Sequence, residues 1–418
     1  MKDHLASDPA AESTGGHGPR RSAGRLVAVD AARGLALVGL TAVHFLPESY
    51  PDNGMPTLSW ILFSGDSAAL FALLAGVGLA FSSGGRRPRR GRELTATRAG
   101  IAVRALLIMA VGLGIGHLMP EDPPAVNILV YYGAFFLLAL PFLGLRVRTL
   151  LLCSAAALLA GPLLIHWLGT RVPEYSDDNP TFTSLFTEPA AVFWQLTVTG
   201  AYPAVTYLAY LLAGVALGRL NLKSLHLQVR LVAAGLGLAA LTKLVSWALL
   251  YGLGGYNVLL YSIVSLTRAQ LDHIIVFGPE ELLPANTPWW LVLTAPHVNT
   301  PFSVAWSLGV SPAVLGAFLL VARQYGRWLL PLTAMGAMTL TLYTGQLVLL
   351  STTVHYGGPL PWFLACLVVS ALVALAWRPA LGQGPLERLV ALAARTTTRA
   401  VARRGAPRDP APGLTPPE

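Results

Sequence analysis

An all-α, polytopic membrane helix bundle is the fold class this sequence predicts, on three observations. The chain is 54% hydrophobic but only 12% charged, with a mean hydropathy of +0.58, whereas a soluble domain carries about 25% charged residues. Its apolar residues gather into runs of about 20, the length that crosses roughly 30 Å of hydrocarbon. The loops between these runs alternate in charge, as the positive-inside rule requires.

The runs fall at 28–46, 59–82, 99–118, 126–145, 149–169, 201–219, 229–252, 302–322, 328–351 and 361–380, giving ten expected spans. The region 253–300 leaves room for an eleventh, partial or re-entrant segment around GYNVLLYSIVSL or WWLVLTAP. The loop RRPRRGRELTATR (86–98) holds six arginines against one glutamate, and the connections near Arg146, Arg219 to Arg230 and Arg323 to Arg327 are also basic. The alternate loops PESYPDNG, PEDPP and PEYSDDNP are neutral or acidic. Both termini are therefore expected in the cytoplasm. The net charge of +9 reads as topology and not as a nucleic-acid surface.

Residues 1–24 are polar and lack the apolar core of a signal peptide, which predicts a disordered cytoplasmic tail. Residues 25–384 form the expected membrane domain. Beyond it, PLERLVALAARTTTRAVARR (385–404) has the pattern of a basic amphipathic helix lying on the inner membrane surface, followed by a tail to residue 418. Cys153 and Cys366 lie in separate apolar runs, so neither a disulfide framework nor a metal site is expected. The spacings Gly112 with Gly116 and Gly214 with Gly218 predict close helix packing. No internal repeat argues for the inverted halves of a secondary transporter.

Ionisable residues inside apolar helices are costly and mark functional candidates. In RLVAVDAARGLALVGLTAVHF (25–45), Asp30, Arg33, Leu37, Thr41 and His44 fall on one helical stripe. Asp30 and Arg33, three apart, can pair near the inner surface, either fixing topology or offering Arg33 to an anion. His44 lies about 20 Å further along, near the outer surface. Asp66, in SGDSAALFALLAG, is expected at a comparable depth on the next helix, where a carboxylate can orient a histidine as general base or simply bond to it. His117, Asn127, Tyr131, Tyr132, Tyr343 and Gln346 belong to the same outer half. So does TAPHVNTPF, with His297 and Asn299 between two prolines. A polar, non-helical stretch at membrane depth is tolerated where it is buried or lines a cavity, so an outward-opening pocket is expected. At the inner face, Arg104 stands about a turn and a half inside its helix. With Arg33 it can hold phosphate-like groups. The chain carries no Walker P-loop, HExxH, CxxC or GxSxG.

RLVAVDAARGLALVGL followed by SGDSAALFALLAGVGLAF resembles the opening of the bacterial YeiB-like membrane proteins. These are related to heparan-α-glucosaminide N-acetyltransferase in the transmembrane acyltransferase superfamily. APHVNTPF, LPLTAMGAMTLTLYTGQLVLL and GPLERL resemble the C-terminal domain of the same branch. The resemblance implies transfer of an acetyl or short acyl group from cytosolic acyl-CoA to an amine or hydroxyl of an extracytoplasmic acceptor, such as a glycan or cell-envelope sugar. It also implies a homodimer. In the characterised relative, the catalytic histidine lies in the outer loop after the first helix, and an asparagine at that helix's outer end assists it. Here PESYPDNGMPTL (47–58) contains no histidine, and His44 fills the asparagine-like position. Either His44 or His297 has become the base, or this branch does different chemistry.

The leading reading is an acyltransferase that uses acetyl-CoA as donor. His44 is its base, oriented by Asp66. Arg33 and Arg104, with Asp30, lie on the donor side. His297, Asn299, His117, Tyr132, Tyr343 and Gln346 lie around the acceptor, and no metal is involved. The alternatives are a transporter or flippase with a His44/Asp66 proton relay, and a non-catalytic cell-envelope protein.

Overall fold

The computed structural model describes residues 27–120, 123–168, 171–172, 178–352 and 358–404. The two tails beyond the helices lie outside the described residues. In chain order the helices are α1 (Val27–Phe45), α2 (Leu58–Phe63), α3 (Asp66–Ser82), α4 (Gly91–Gly116), α5 (Ile128–Ala139), α6 (Val147–Leu168), α7 (Phe182–Thr187), α8 (Pro189–Trp194) and α9 (Ala204–Gly218). They continue with α10 (Leu225–Trp247), α11 (Gly255–Ser262), α12 (Arg268–Phe277), α13 (Pro301–Tyr325), α14 (Leu330–Gly336), α15 (Thr339–Leu350), α16 (Pro359–Leu381) and α17 (Pro385–Arg404). Among the described residues there is no strand, only an isolated bridge between Ser49 and Pro56.

Among the described residues seven helical stretches are long and apolar enough to cross a membrane, and up to nine if each of two bent pairs is one span. The chain is thus a multi-pass membrane helix bundle. Each of the ten apolar runs coincides with helix, but the run at 126–145 is short, α5 followed by one tight turn through Leu140–Gly144. The run at 328–351 is broken into α14 and α15 with an 81° bend. The run at 201–219 belongs to a pair bent by 53°, Pro189–Thr199 with Ala204–Gly218. Within 253–300 the structure has only the short helices α11 and α12 and a tight turn at Pro288–Val292.

Lipid-facing helices gain little from hydrophobic burial against each other, so close backbone packing through small residues holds such bundles together. A Cβ on Gly214 would strike the Leu73 carbonyl, and one on Gly76 the Leu211 carbonyl, where α3 crosses α9. At Gly112 an added Cβ would meet Val130 at 2.7 Å, and at Gly116 it would meet the Pro180 carbonyl. α1 meets α14 in the same way: a Cβ on Gly34 would strike the Leu332 carbonyl, and one on Gly336 the Asp30 carbonyl. The core lies among α1, α3, α5 and α9. α16 is almost wholly on the periphery, with Ala374 its one buried residue. α17 packs along the N-terminal part of α4.

Candidate functional site

Two cavities enter the bundle from opposite ends. The first, of about 570 Å³, opens at the end bearing the basic loop and runs inward between α1, α3, α4 and α17. Along α4 its lining extends from Thr97 to Ile108, about 16 Å at 1.5 Å per residue. Near its mouth are Arg89, Arg395 and Arg399; deeper are Arg33 and Arg104, and its inner end reaches Tyr132 and Tyr343. Arg33 is held in place within the cavity wall. Its Nη1 lies 3.7 Å from the Asp30 carboxylate, and its Nη2 donates to the Leu74 carbonyl at 3.1 Å. Gly78 leaves the room this guanidinium occupies, since a Cβ there would come within 2.6 Å of Nη2. Among the described residues Arg104 makes no ion pair or hydrogen bond; its guanidinium lies 5.5 Å over the Phe136 ring and faces the cavity.

The second cavity, of about 370 Å³, lies at the other end. Asp66, Lys243, Trp306, His297, Asn299 and Tyr210 are among its lining residues. Gly65, at φ +72°, turns the chain so that Asp66 opens α3. Its carboxylate accepts from Trp306 Nε1 at 2.9 Å and from Ser307 Oγ at 2.5 Å. Lys243 donates to Thr294 Oγ1 at 2.8 Å and lies 4.8 Å from the centre of the Trp306 ring. His297 and Asn299 both have left-handed backbone, φ +58° and +51°, a conformation costly for side-chain-bearing residues and concentrated at functional sites. The segment is tied down where Asn299 Nδ2 donates to the His297 carbonyl at 2.9 Å and Thr300 caps α13. Burial pushes the His297 imidazole down to about 4, so near neutral pH it is uncharged.

An aromatic wall divides the cavities. Tyr132 borders the first and Tyr207 the second, with Phe135 between them at 5.2 Å from one and 5.1 Å from the other. His44 belongs to this wall. Its ring centre is 6.1 Å from that of Tyr343, and His297 is near enough to act on it electrostatically.

The partner of His44 is Gln346, whose amide nitrogen lies 2.9 Å from His44 Nδ1. The amide oxygen lies 2.9 Å from Thr41 Oγ1, which also reaches the Leu37 carbonyl at 2.8 Å. A hydroxyl has one proton and cannot donate to both. With Thr41 donating to Gln346, the amide donates to Nδ1 and the ring proton sits on Nε2. When Thr41 instead donates to Leu37, as helical threonines do, the amide turns over and accepts from Nδ1–H. Nε2 then carries a free lone pair, and only this arrangement makes His44 a base.

The expected pairing of His44 with Asp66 is therefore corrected. Similar depth does not fix rotation about the helix axis, and Asp66 turns to α13 while His44 turns to α15. Gln346, expected around the acceptor, is bonded to His44. Tyr132 and Tyr343 line the basic cavity and not the second one. His117 lies apart from both cavities, its ring stacked on Phe182 at 6.2 Å. Arg33, Arg104, His297 and Asn299 all line cavities. Asp30, 3% exposed, is tied to Arg33. Lys243, Trp306, Arg395 and Arg399 are site residues that the sequence reading did not single out. Lys243, a lone lysine inside an apolar run, was the one signal available.

The family model described as heparan-alpha-glucosaminide N-acetyltransferase, catalytic, matches residues 25–258, more than half of the chain. That stretch holds Arg33, His44, Asp66, Arg104 and Tyr132 and ends before His297, Tyr343 and Gln346. No curated protein matches the chain.

Proposed function

Because this chain belongs to the heparan-alpha-glucosaminide N-acetyltransferase catalytic family, we propose that it is an integral membrane acyltransferase of the bacterial plasma membrane. It takes an acetyl or short acyl group from a coenzyme A thioester on the cytoplasmic side. It gives that group to an amine or hydroxyl of an extracytoplasmic acceptor such as a cell-envelope sugar. The orientation puts both termini and the loop 86–98 in the cytoplasm, with the ten helical runs as spans.

The observation that carries this reading is the pair of cavities entering from opposite ends and meeting at a thin wall that contains His44. The basic cavity suits a donor with phosphates at one end and a long thin arm. Arg33 and Arg104 supply fixed positive charge, and the tyrosine-lined inner end admits the thioester. The second cavity offers Asp66, His297 and Asn299 to a polar acceptor.

In the reaction, His44 Nε2 takes the proton of the acceptor N–H or O–H, with Nδ1–H held by Gln346. The acceptor atom bonds to the thioester carbonyl carbon, the C–S bond breaks, and the leaving thiolate takes the proton back as free thiol. A positioned base contributes about 10²–10⁴-fold in rate. The test is transfer of labelled acetyl from acetyl-CoA into an acceptor fraction of inverted membrane vesicles. Covalent label that His44→Ala abolishes supports the proposal. A His44→Ala protein that purifies intact and transfers at the full rate overturns it. Passage of a solute without any covalent label points instead to transport.

A further inference from the structure

α17 lies outside the stretch the family model covers, yet it forms one side of the basic cavity. Its start is pinned to α15, where the Glu387 carboxylate accepts from Thr341 Oγ1 at 2.6 Å and from the Thr341 backbone N–H at 3.1 Å. Further along, α17 touches α4 at Gly100, where a Cβ would strike Thr398 and come within 2.7 Å of the Ala394 carbonyl. The contact is therefore close and specific, more than that of a helix floating on a membrane surface.

This seating turns Arg395 and Arg399, one helical turn apart, into the cavity wall. Among the described residues neither makes a hydrogen bond or ion pair, and neither does Arg104. Three unpaired guanidiniums thus face one cavity. The single carboxylate among its described lining residues, Glu387, is bonded to Thr341 and also lies near enough to Arg104 to act on it electrostatically, so one carboxylate stands against three guanidiniums. Arginines gathered in excess of carboxylate in a partly enclosed space match a multiply charged anion, and the guanidinium fork matches phosphate. A second observation at the inner end of the same cavity also points to a ligand. The Tyr132 hydroxyl is buried, the residue 4% exposed, and it has no hydrogen-bond partner among the described residues. Such a group is costly to leave unsatisfied. A bound molecule that accepts from it satisfies both ends of the cavity.

We propose that α17 completes the donor site, with Arg395 and Arg399 joining Arg104 to hold the donor's phosphates while Tyr132 donates to its thioester carbonyl. This rests on the acyltransferase reading. It adds that the C-terminal helix, and not the family-matched bundle alone, sets the preference for a phosphorylated donor.

The test compares wild type with R395A/R399A in nanodiscs of neutral lipid, using acetyl-CoA and the phosphate-free donor S-acetyl-N-acetylcysteamine. KM for acetyl-CoA is expected to rise about tenfold or more in the variant, with kcat little changed. KM for the phosphate-free donor should stay at its wild-type value. Gly100→Leu, which pushes α17 away, should reproduce the same donor-specific defect. Equal KM shifts for both donors, or none, overturn the proposal.

A second readout needs no turnover, so it stands even if no donor is used. Adenosine 3′,5′-bisphosphate should raise the melting temperature of wild type by mass action and raise that of R395A/R399A much less. Equal stabilisation of both proteins, or none of either, refutes the phosphate site. If phosphatidylglycerol replaces the nucleotide as the stabilising agent, the cavity's phosphates belong to lipid headgroups and the donor assignment falls.

Discussion

Gln346 is where a single substitution separates a structural hydrogen bond from a positioned base. The residue is 3% exposed, and its amide spans Thr41 and His44 at 2.9 Å each. Gln346→Leu keeps roughly the same shape and removes both bonds. Thr41 still has the Leu37 carbonyl at 2.8 Å, so the group left without a partner is His44 Nδ1. One buried polar atom stranded in this way costs about 1–3 kcal/mol, a stability loss readable by thermal unfolding in detergent. The effect on transfer is expected to be larger. Without an acceptor at Nδ1–H, nothing holds the proton off Nε2 or fixes the ring, and at least ~10²-fold of the base's contribution is lost. Gln346→Glu is the informative partner, because a carboxylate accepts from both Thr41 Oγ1–H and Nδ1–H. It should retain transfer within about tenfold of wild type, at a cost in stability for placing a charge inside the membrane. The assay is initial rate of labelled acetyl transfer, compared among variants that unfold cooperatively. Two results refute the reasoning. If Gln346→Leu transfers at the wild-type rate while His44→Ala is inactive, His44 needs no orienting. If Gln346→Glu is as inactive as Gln346→Leu, the amide does not act by accepting from Nδ1–H.

Three further outcomes follow from the geometry. Arg104→Met keeps most of the unbranched stem but removes the guanidinium that lies over Phe136, and with it the charge. KM for acetyl-CoA should rise about tenfold or more with kcat nearly constant, and an unchanged KM would remove Arg104 from the donor site. Gly214→Leu places a side chain where the Leu73 carbonyl already stands; overpacking of this kind costs about 1–3 kcal/mol, and an unaltered melting temperature would contradict the close α3–α9 crossing. The third concerns acid. His297, outside the spanning helices, is held at about 4 by burial, against an ordinary value near 6.5. As pH falls through that window the unfolded chain gains a proton the folded chain refuses, so stability drops. His297→Asn tolerates the left-handed backbone and should lose less in melting temperature than wild type between pH 7.5 and 5.

The helices were legible because hydropathy over about 20 residues reports burial in lipid directly, and all ten apolar runs are helical. What hydropathy cannot report is a break inside an apolar run. Nothing in LPLTAMGAMTLTLY separates α14 from α15 by composition, yet that bend carries Gly336 and Ala337 to the basic cavity and sets the direction of α15. The helix 1 stripe was legible for the same reason as its spacing: Thr41 and His44 are three apart and do meet one partner, Gln346. Which partner they meet depends on α15, 300 residues away in sequence, and no local pattern encodes it. Depth along the membrane suggested Asp66, but the Gly65 turn points that carboxylate at Trp306 and Ser307. The α17 arginines were hidden for a different reason. Lys and Arg beside a membrane are read first as topology signals, and only the contact at Gly100 distinguishes a docked helix from one lying on the surface.

The motif D-x-x-R-G acquires a division of labour from these contacts. Asp30 and Arg33 answer each other across one helical turn at 3.7 Å, which leaves the glycine unexplained by charge. Gly34 is where the backbone of α14 crosses α1, and Gly336 on α14 returns the same contact against Asp30. Two small residues facing each other admit a closer approach than any side chain allows. They fix α14 against the inner half of α1, and the bend after Gly336 then directs α15 along the outer half. On α15, Tyr343 is one of the residues that border the basic cavity, and Gln346 bonds to His44. The inner end of helix 1 thus positions the chemistry at its outer end through a second, broken helix. A lone histidine in an apolar helix becomes intelligible as part of a site only once that crossing is counted.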